Sequence, residues 1–227
     1  MNKIDKLRKK IEFSKTIENK NISKVIKWYR SRIKLDRTKV KKVPLSELKD
    51  WHIAKNGNIY HKSKQFFSLE GVKVINANNR EVSGWDQPLL FQKHGGILAI
   101  LVRERNNVIE FLLNARREPG DGKGVLKLCP SFSATKSNMN LAHGGKKTQL
   151  TKLVLNNKNI IAKTIHYEEG ARFWKKPNQN WLLYVDKNQQ KKIIGKNFIW
   201  LNLTQIKKLN QKKGILNPFV KTILFMI

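Results

Sequence analysis

Residues 97–138 read ILAILVRERNNVIEFLLNARREPGDGKGVLKLCPSFSATKSN, and the alternation there between apolar runs and charged or small polar ones decides the fold class. Ile97–Val102 is a short continuous apolar run of the kind a buried strand carries. Arg103–Asn107 turns the chain. Ile109, Phe111 and Leu113 then return with Glu110 on the opposite face, the period-2 pattern of a strand with one face in the core. This hairpin feeds directly into Ala115, so Arg116, Arg117, Glu118 and the Pro119-Gly120 break leave the end of a central strand, where side chains can converge on a pocket. A buried strand has no use for three charges in succession. A solvated loop has none for the compact run Ser131-Phe132-Ser133-Ala134-Thr135 that ends in Lys136-Ser137-Asn138. The side chains of 115–138 are those of a ligand site.

Upstream, Asn56-Gly57 is a two-residue hairpin signal between Ile53 and Ile59. Phe67, Leu69, Val72 and Val74 suggest a strand pair broken at Gly71, and Ser83–Pro88 reads as a loop. Before Trp51, Ile22, Val25, Ile26, Tyr29 and Ile33 recur at helical spacing with Lys24, Lys27 and Lys34 on the other side, a docking helix with a solvated basic face. Pro44 breaks the chain, and Leu45–Leu48 is a short helical turn. Downstream, His143-Gly144-Gly145 precedes strand-like segments at 150–155 and 160–165, and His166-Tyr167-Glu168-Glu169-Gly170-Ala171-Arg172-Phe173 forms a second charged cluster after an apolar run. Trp181–Val185 and Phe198–Trp200 read as further strands. A helix spans about Thr204 to Leu209, and Asn217-Pro218 offers an N-cap and first-turn proline for a last one. The expectation is an α+β fold, with residues 1–49 a basic N-terminal helical segment and 50–227 the main module.

At 227 residues with 40% hydrophobic composition and six Trp, the chain has enough apolar surface for one substantial core. No apolar run approaches the ~20 residues that span a bilayer, and MNKIDKLRKK has no hydrophobic region behind its charges, so membrane insertion is not expected and a cytoplasmic location is. Cys129 is alone, which excludes an intramolecular disulfide, and its neighbours Leu128 and Pro130 predict a buried thiol. The formal net charge is +31, and residues 1–49 hold 17 Lys or Arg against 5 Asp or Glu. Charge of that size suits phosphates, but Lys is accompanied by abundant Asn and Ile, a mixture compositional bias produces. No zinc finger, glycine-aromatic RNA-binding signature or basic zipper turns the charge into a base reader. Specific nucleic-acid binding is not expected.

Chemistry is to be sought in the two clusters. Glu118, Glu168 and Glu169 are their carboxylates, and a general base needs one whose environment tunes it. Arg116, Arg117, Lys136 and Arg172 can bind a phosphate or steady a developing oxyanion. Trp85, Phe66 and Phe67 could stack on a base, and His61 could serve as acid or base. No nucleophile elbow, glycine-rich phosphate loop or His-Glu-x-x-His appears, and no metal site is expected.

The ordered series Trp51, His61-Lys62-Ser63-Lys64-Gln65-Phe66-Phe67, Gly71-Val72, Trp85-Asp86-Gln87-Pro88, Glu118-Pro119-Gly120, Pro130 with Ala134-Thr135-Lys136-Ser137-Asn138, His143-Gly144-Gly145 and Glu168-Glu169-Gly170-Ala171-Arg172-Phe173 closely resembles the NDP-hexose 2,3-dehydratase family, from about Trp51 to the C-terminus. The resemblance implies a Nudix-like mixed β-sheet module with flanking helices, without Nudix hydrolase chemistry. It implies a lyase of deoxysugar pathways acting on dTDP-4-keto-6-deoxyglucose. The C4 ketone acidifies the C3 proton, a base removes it, and the C2 hydroxyl leaves, with no cofactor required. On this reading Glu118 or Glu169 is the base, Lys136 and Asn138 stabilise oxygen, and Arg116, Arg117 or Arg172 holds the diphosphate. Trp85 and Gln87 line the nucleotide pocket, and Thr135, Ser137, Glu168 and His61 are further substrate contacts. Members generally carry two modules and this chain carries one, so the expected partner is a second copy in a homodimer or a second dehydratase module. The alternative is a non-catalytic nucleotide-sugar-binding module. The chain departs from the family pattern at His166-Tyr167, where Gln-Ser is usual, and at Ala171, Lys64-Gln65 and Asn114.

Overall fold

The hairpin at 97–113 is the centre from which two β-sheets are built. In this computed structural model, which describes residues 2–122, 124–212 and 214–227, the chain begins with helices α1 (Lys3–Ile17) and α2 (Ser23–Leu35). Strands β1 (Trp51–Ile53), β2 (Ile59–His61), β3 (Ser68–Val74) and β4 (Trp85–Phe91) lead to the central pair β5 (Gly96–Arg105) and β6 (Val108–Arg116), followed by β7 (Lys127–Pro130) and β8 (Phe132–Thr135). Helices α3 (Lys136–Met139) and α4 (Thr151–Leu155) precede β9 (Ile160–Tyr167), β10 (Phe173–Trp174) and β11 (Pro177–Tyr184). Helix α5 (Lys187–Gln190), β12 (Phe198–Asn202), α6 (Leu203–Asn210) and α7 (Pro218–Leu224) complete the α+β fold.

The smaller sheet runs β1-β2-β3-β4-β10, and the larger runs β12-β6-β5-β11-β9 with β7 on β6 and β8 on β5. Pairing is antiparallel except for β4–β10 and β5–β11, which are parallel. The β5–β6 turn is tighter than 103–107: Asn106 and Asn107 both have positive φ, 51° and 62°, the conformation of a two-residue primed turn that matches strand twist. Beyond Val102 and Phe111 the two strands diverge, and β7 and β8 enter the gap. Buried Ser131 stands at this fork, its hydroxyl accepting from Leu101 N at 2.9 Å and donating to Leu112 O at 2.5 Å. It satisfies the two backbone groups that the divergence would orphan.

One core joins Leu98, Ile100, Val102, Phe111 and Leu113 to Leu7 and Ile11 of α1, Val25 and Tyr29 of α2, and Val220 and Ile223 of α7. The other joins Ala99, Leu101, Leu112, Phe132, Trp181 and Leu183 to Val154 of α4. The period-2 alternation of β5 thus feeds two cores, one on each face. Helix α2 docks as its periodicity predicts, and α7 starts at the expected cap, with Phe219 N donating to Asn217 Oδ1 at 2.9 Å. Among the described residues no helix is long and apolar enough to cross a membrane.

Besides the 103–107 turn, three expectations are corrected. Ser83–Pro88 is not a loop, since β4 starts at Trp85. Pro88 is tolerated because Leu90 N, two residues on, donates to Arg172 O on the β10 side, which places the proline nitrogen on the same side where the short β10 leaves it unpaired. Gly71 does not break a strand pair, for β3 runs through it opposite Pro88. The 150–155 segment is α4 and not a strand. Leu150 takes the left-handed region at φ 67° and turns the chain into the helix, which places Val154 in the core.

Candidate functional site

The charged and hydroxyl-rich residues gather where the larger sheet opens past its fork. Gly96 faces Thr135 across the β5–β8 ladder, and on its other side Gly96 N donates to Asn178 Oδ1 at 2.9 Å. Asn178 Nδ2 donates to Glu168 Oε1 at 2.7 Å, and Lys176 Nζ lies 3.2 Å from the same oxygen. Lys176 also covers the Phe173 ring at 4.5 Å. The Glu168 and Lys176 side chains are only 13% and 11% exposed, so Glu168 is a buried, satisfied ion-pair partner next to the hydroxyl run.

Thr135 caps α3. Its Oγ1 accepts from Asn138 N at 3.3 Å and lies 2.8 Å from the hydroxyl of buried Ser137. That arrangement leaves the exposed Lys136 side chain over a cavity of about 250 Å³ walled by 64–66, 92–94, Lys136, Ser137 and Asn140. The wall at 64–66 is set by His61, whose Nδ1 lies 2.9 Å from Ser63 Oγ and whose ring meets Phe66 edge-on at 4.7 Å and Trp51 at 5.6 Å. Lys64 closes that turn with its N–H on His61 O at 2.9 Å.

Arg116 and Glu118 lie on the other branch of the fork. Arg116 Nε donates to Glu118 Oε1 at 2.8 Å, and the Cys129 thiol donates to the same oxygen at 3.4 Å. Burial, with the Glu118 carboxylate adding to it, pushes the Cys129 thiol up to about 12, so this sulfur stays protonated and inert at neutral pH. Arg117 turns away to Asp36 just beyond α2, with Nε 2.6 Å from Oδ2, and also donates to Gly122 O. On the second cluster, Arg172 Nε is 3.4 Å from Glu169 Oε2, with both side chains exposed. Trp85 Nε1 donates to Gln87 Oε1 at 2.7 Å, and Gln87 Nε2 donates to Ala171 O at 2.9 Å, which ties β4 to the 168–173 turn.

Of the residues singled out from sequence, Thr135, Lys136, Ser137 and Asn138 share one strand end, with Glu168 two hydrogen bonds from Gly96. His61 shapes the opposing turn. Arg116 and Glu118, Arg117, and Glu169 and Arg172 form three separate ion pairs, and none of these five lines the Lys136 cavity. Sequence reasoning missed Lys93, His94, Lys176 and Asn178. The available signal was His94-Gly95-Gly96, a His-Gly-Gly like that at 143–145 and placed directly before an apolar strand. Among the described residues no group of three or more His, Cys, Asp or Glu side chains could hold a metal ion.

Curated relatives share this chain's pattern over most of its length. It is 30% identical over 204 residues to the dTDP-4-dehydro-6-deoxy-alpha-D-glucopyranose 2,3-dehydratase of Amycolatopsis orientalis, covering 87% of this chain and 42% of that protein. It is 30% identical over 203 residues to the enzyme of the same name from Saccharopolyspora spinosa, covering 88% and 41%. The chain therefore spans less than half the length of the curated relatives it matches. Among solved structures, it is similar to a chain in the complex between the C-terminal domain of mouse MUTYH and human PCNA, at 12% identity and a TM-score of 0.35 over 60% of this chain and 87% of that one, a likeness too slight to bear on the fold. The model of the family described as NDP-hexose 2,3-dehydratase matches residues 22–227, starting within α2's N-terminal flank and well before Trp51. This chain belongs to the NDP-hexose 2,3-dehydratase family.

Proposed function

We propose that this chain is a lyase module that removes water across C2–C3 of dTDP-4-keto-6-deoxyglucose. One observation carries the proposal to this site: residues 64–66 and Lys136–Ser137, far apart in sequence, wall a single cavity. A base takes the C3 proton, the electron pair moves onto the C4 ketone oxygen as an enolate, and the enolate then expels the C2 hydroxyl, which leaves as water once protonated. The step is redox-neutral. The resemblance gives the steadying of the enolate oxygen to Lys136, which lines the cavity, and to Asn138 in the same short helix. By the same resemblance proton removal falls to Glu118 or Glu169; neither lines the Lys136 cavity, so on this reading the sugar extends out of it to meet the base.

Incubating the protein with dTDP-4-keto-6-deoxyglucose tests this. The unstable diketo product should break down and release maltol, and Glu118→Gln or Glu169→Gln should lower the rate by roughly 10²–10⁴-fold, the usual value of a positioned base. Substrate that persists, alone and with a second module added, overturns the proposal. The length of the relatives supports a module that works beside a second copy of itself or a second dehydratase module. The mixed sheet flanked by helices supports a Nudix-like kinship.

A further inference from the structure

We propose that the cavity beside Lys136 is the diphosphate subsite, with Lys64, Lys93 and His94 as its ligands in place of the arginines of the two charged clusters. The inference rests on the nucleotide-sugar reading above and specifies its anchor. These three side chains come from two separate segments, the 61–64 turn and the connector between β4 and β5, and with Lys136 at the start of α3 they wall one space of about 250 Å³. No carboxylate among the described residues lines it. Among the described residues Lys64, Lys93 and Lys136 enter no ion pair, whereas Arg116, Arg117 and Arg172 are each matched to an acid. Three unmatched ammonium groups facing one cavity repel each other until an anion arrives, and a diphosphate meets them as point-charge donors.

Lys64 is held in place by its turn. Its φ of 53° lies in the left-handed region, which a non-glycine residue keeps only where surrounding structure holds it. Here the holding structure is the His61–Ser63 contact and the Lys64 N–H on His61 O. The volume is below the ~300 Å³ at which drug-sized ligands begin to fit, so the cavity takes one part of the substrate. A second cavity of about 400 Å³ shares Lys64 and Phe66 and includes Tyr60 and Phe67, which gives the nucleoside base aromatic faces on the far side of Lys64. The sugar then lies toward Lys136 and Ser137.

Calorimetric titration of the full chain with inorganic pyrophosphate and with dTDP tests the assignment. Lys64→Ala and Lys93→Ala should each weaken both ligands by about tenfold or more, the usual loss for a charge-assisted contact. Lys93→Arg should restore most of the affinity, Lys207→Ala on α6 should change nothing, and melting temperatures should be unaltered. Wild-type protein that binds neither ligand, or lysine variants that bind dTDP as wild type does, overturns the subsite. If the lysine variants lose binding while no form of the protein turns over the keto-sugar, the subsite stands and the dehydration reading fails.

Discussion

The charged clusters at 116–118 and 168–172 look alike in sequence, each placing glutamate and arginine after an apolar strand, yet they fold into different environments. At 116–118 the charges separate sideways: Arg116 pairs with Glu118 on one side of the strand end, and Arg117 reaches back to Asp36. At 168–172 they separate by depth. Glu168 is enclosed against Lys176 and Asn178, while the side chain of Glu169 next to it is 63% exposed and pairs with Arg172, itself 74% exposed. The difference follows from what stands opposite each strand end. Parallel pairing of β11 with β5 brings Asn178 beside Gly96 and gives Glu168 a polar wall, whereas β6 ends at the open side of the fork. Adjacent carboxylates therefore do not make a functional pair, and each must be judged by its partners.

The sharpest way to break this contrast is at Gly95. A Cβ there would stand 1.3 Å from Pro177 O, a backbone atom that cannot swing aside. Gly95→Ala should push 177–178 off the β5 edge, open the Glu168 wall and destabilise the protein by on the order of 4 kcal/mol, the range of severe overpacking. Thermal unfolding measures it, and an unchanged melting temperature would refute the close approach. Next in size is the pair of neighbouring glutamates. Glu168→Gln leaves the Lys176 ammonium buried without a counter-charge and should cost ~3 kcal/mol, whereas Glu169→Gln removes only an exposed pair and should stay within ~0.5 kcal/mol. Equal effects of the two substitutions would erase the distinction of depth.

How much of this was legible beforehand depends on whether the cause is local. The β5–β6 hairpin, the helix at 23–35 and the start of α7 are written in periodicity and capping residues, and they appear as read. Helix α1 lies within the segment expected to be helical, but its period is hard to see: Leu7, Ile11 and Ser14 face the protein at helical spacing, and dense lysines mask so narrow a stripe. Segment 150–155 looks strand-like because six residues cannot separate one period from another, and β4 is hidden by Pro88, whose tolerance depends on how far β10 extends. In the site, the hydroxyl run and Lys136 could be picked out because no core or loop needs them there. Lys93 and His94 could not, for a lysine and histidine in a connector resemble ordinary surface. Only the strand register, which sets Gly96 between Thr135 and Asn178, turns that connector into a wall.

The first cluster offers the smallest and most specific effect. The Thr38 hydroxyl and the Arg117 guanidinium, outweighing partial burial, hold the Asp36 carboxyl below its ordinary 3.8. A carboxyl whose folded-state value is depressed contributes stability that is complete above the unfolded value and is lost as pH falls through the folded one. Asp36→Asn should therefore lower the melting temperature by a constant amount at neutral pH, and the gap to wild type should narrow only below about pH 3.8, as the wild-type carboxyl takes up its proton. Thr38→Val removes the largest cause of the depression while leaving Arg117 in place, so in that background the Asp36→Asn gap should be smaller and its loss should finish at a higher pH, while still starting near pH 3.8. Melting curves across this range decide between an anchor and a bystander. A gap that stays constant into strong acid would mean that Arg117 and Asp36 do not tie α2 to the end of β6, and that the first cluster is as loosely held as Glu169.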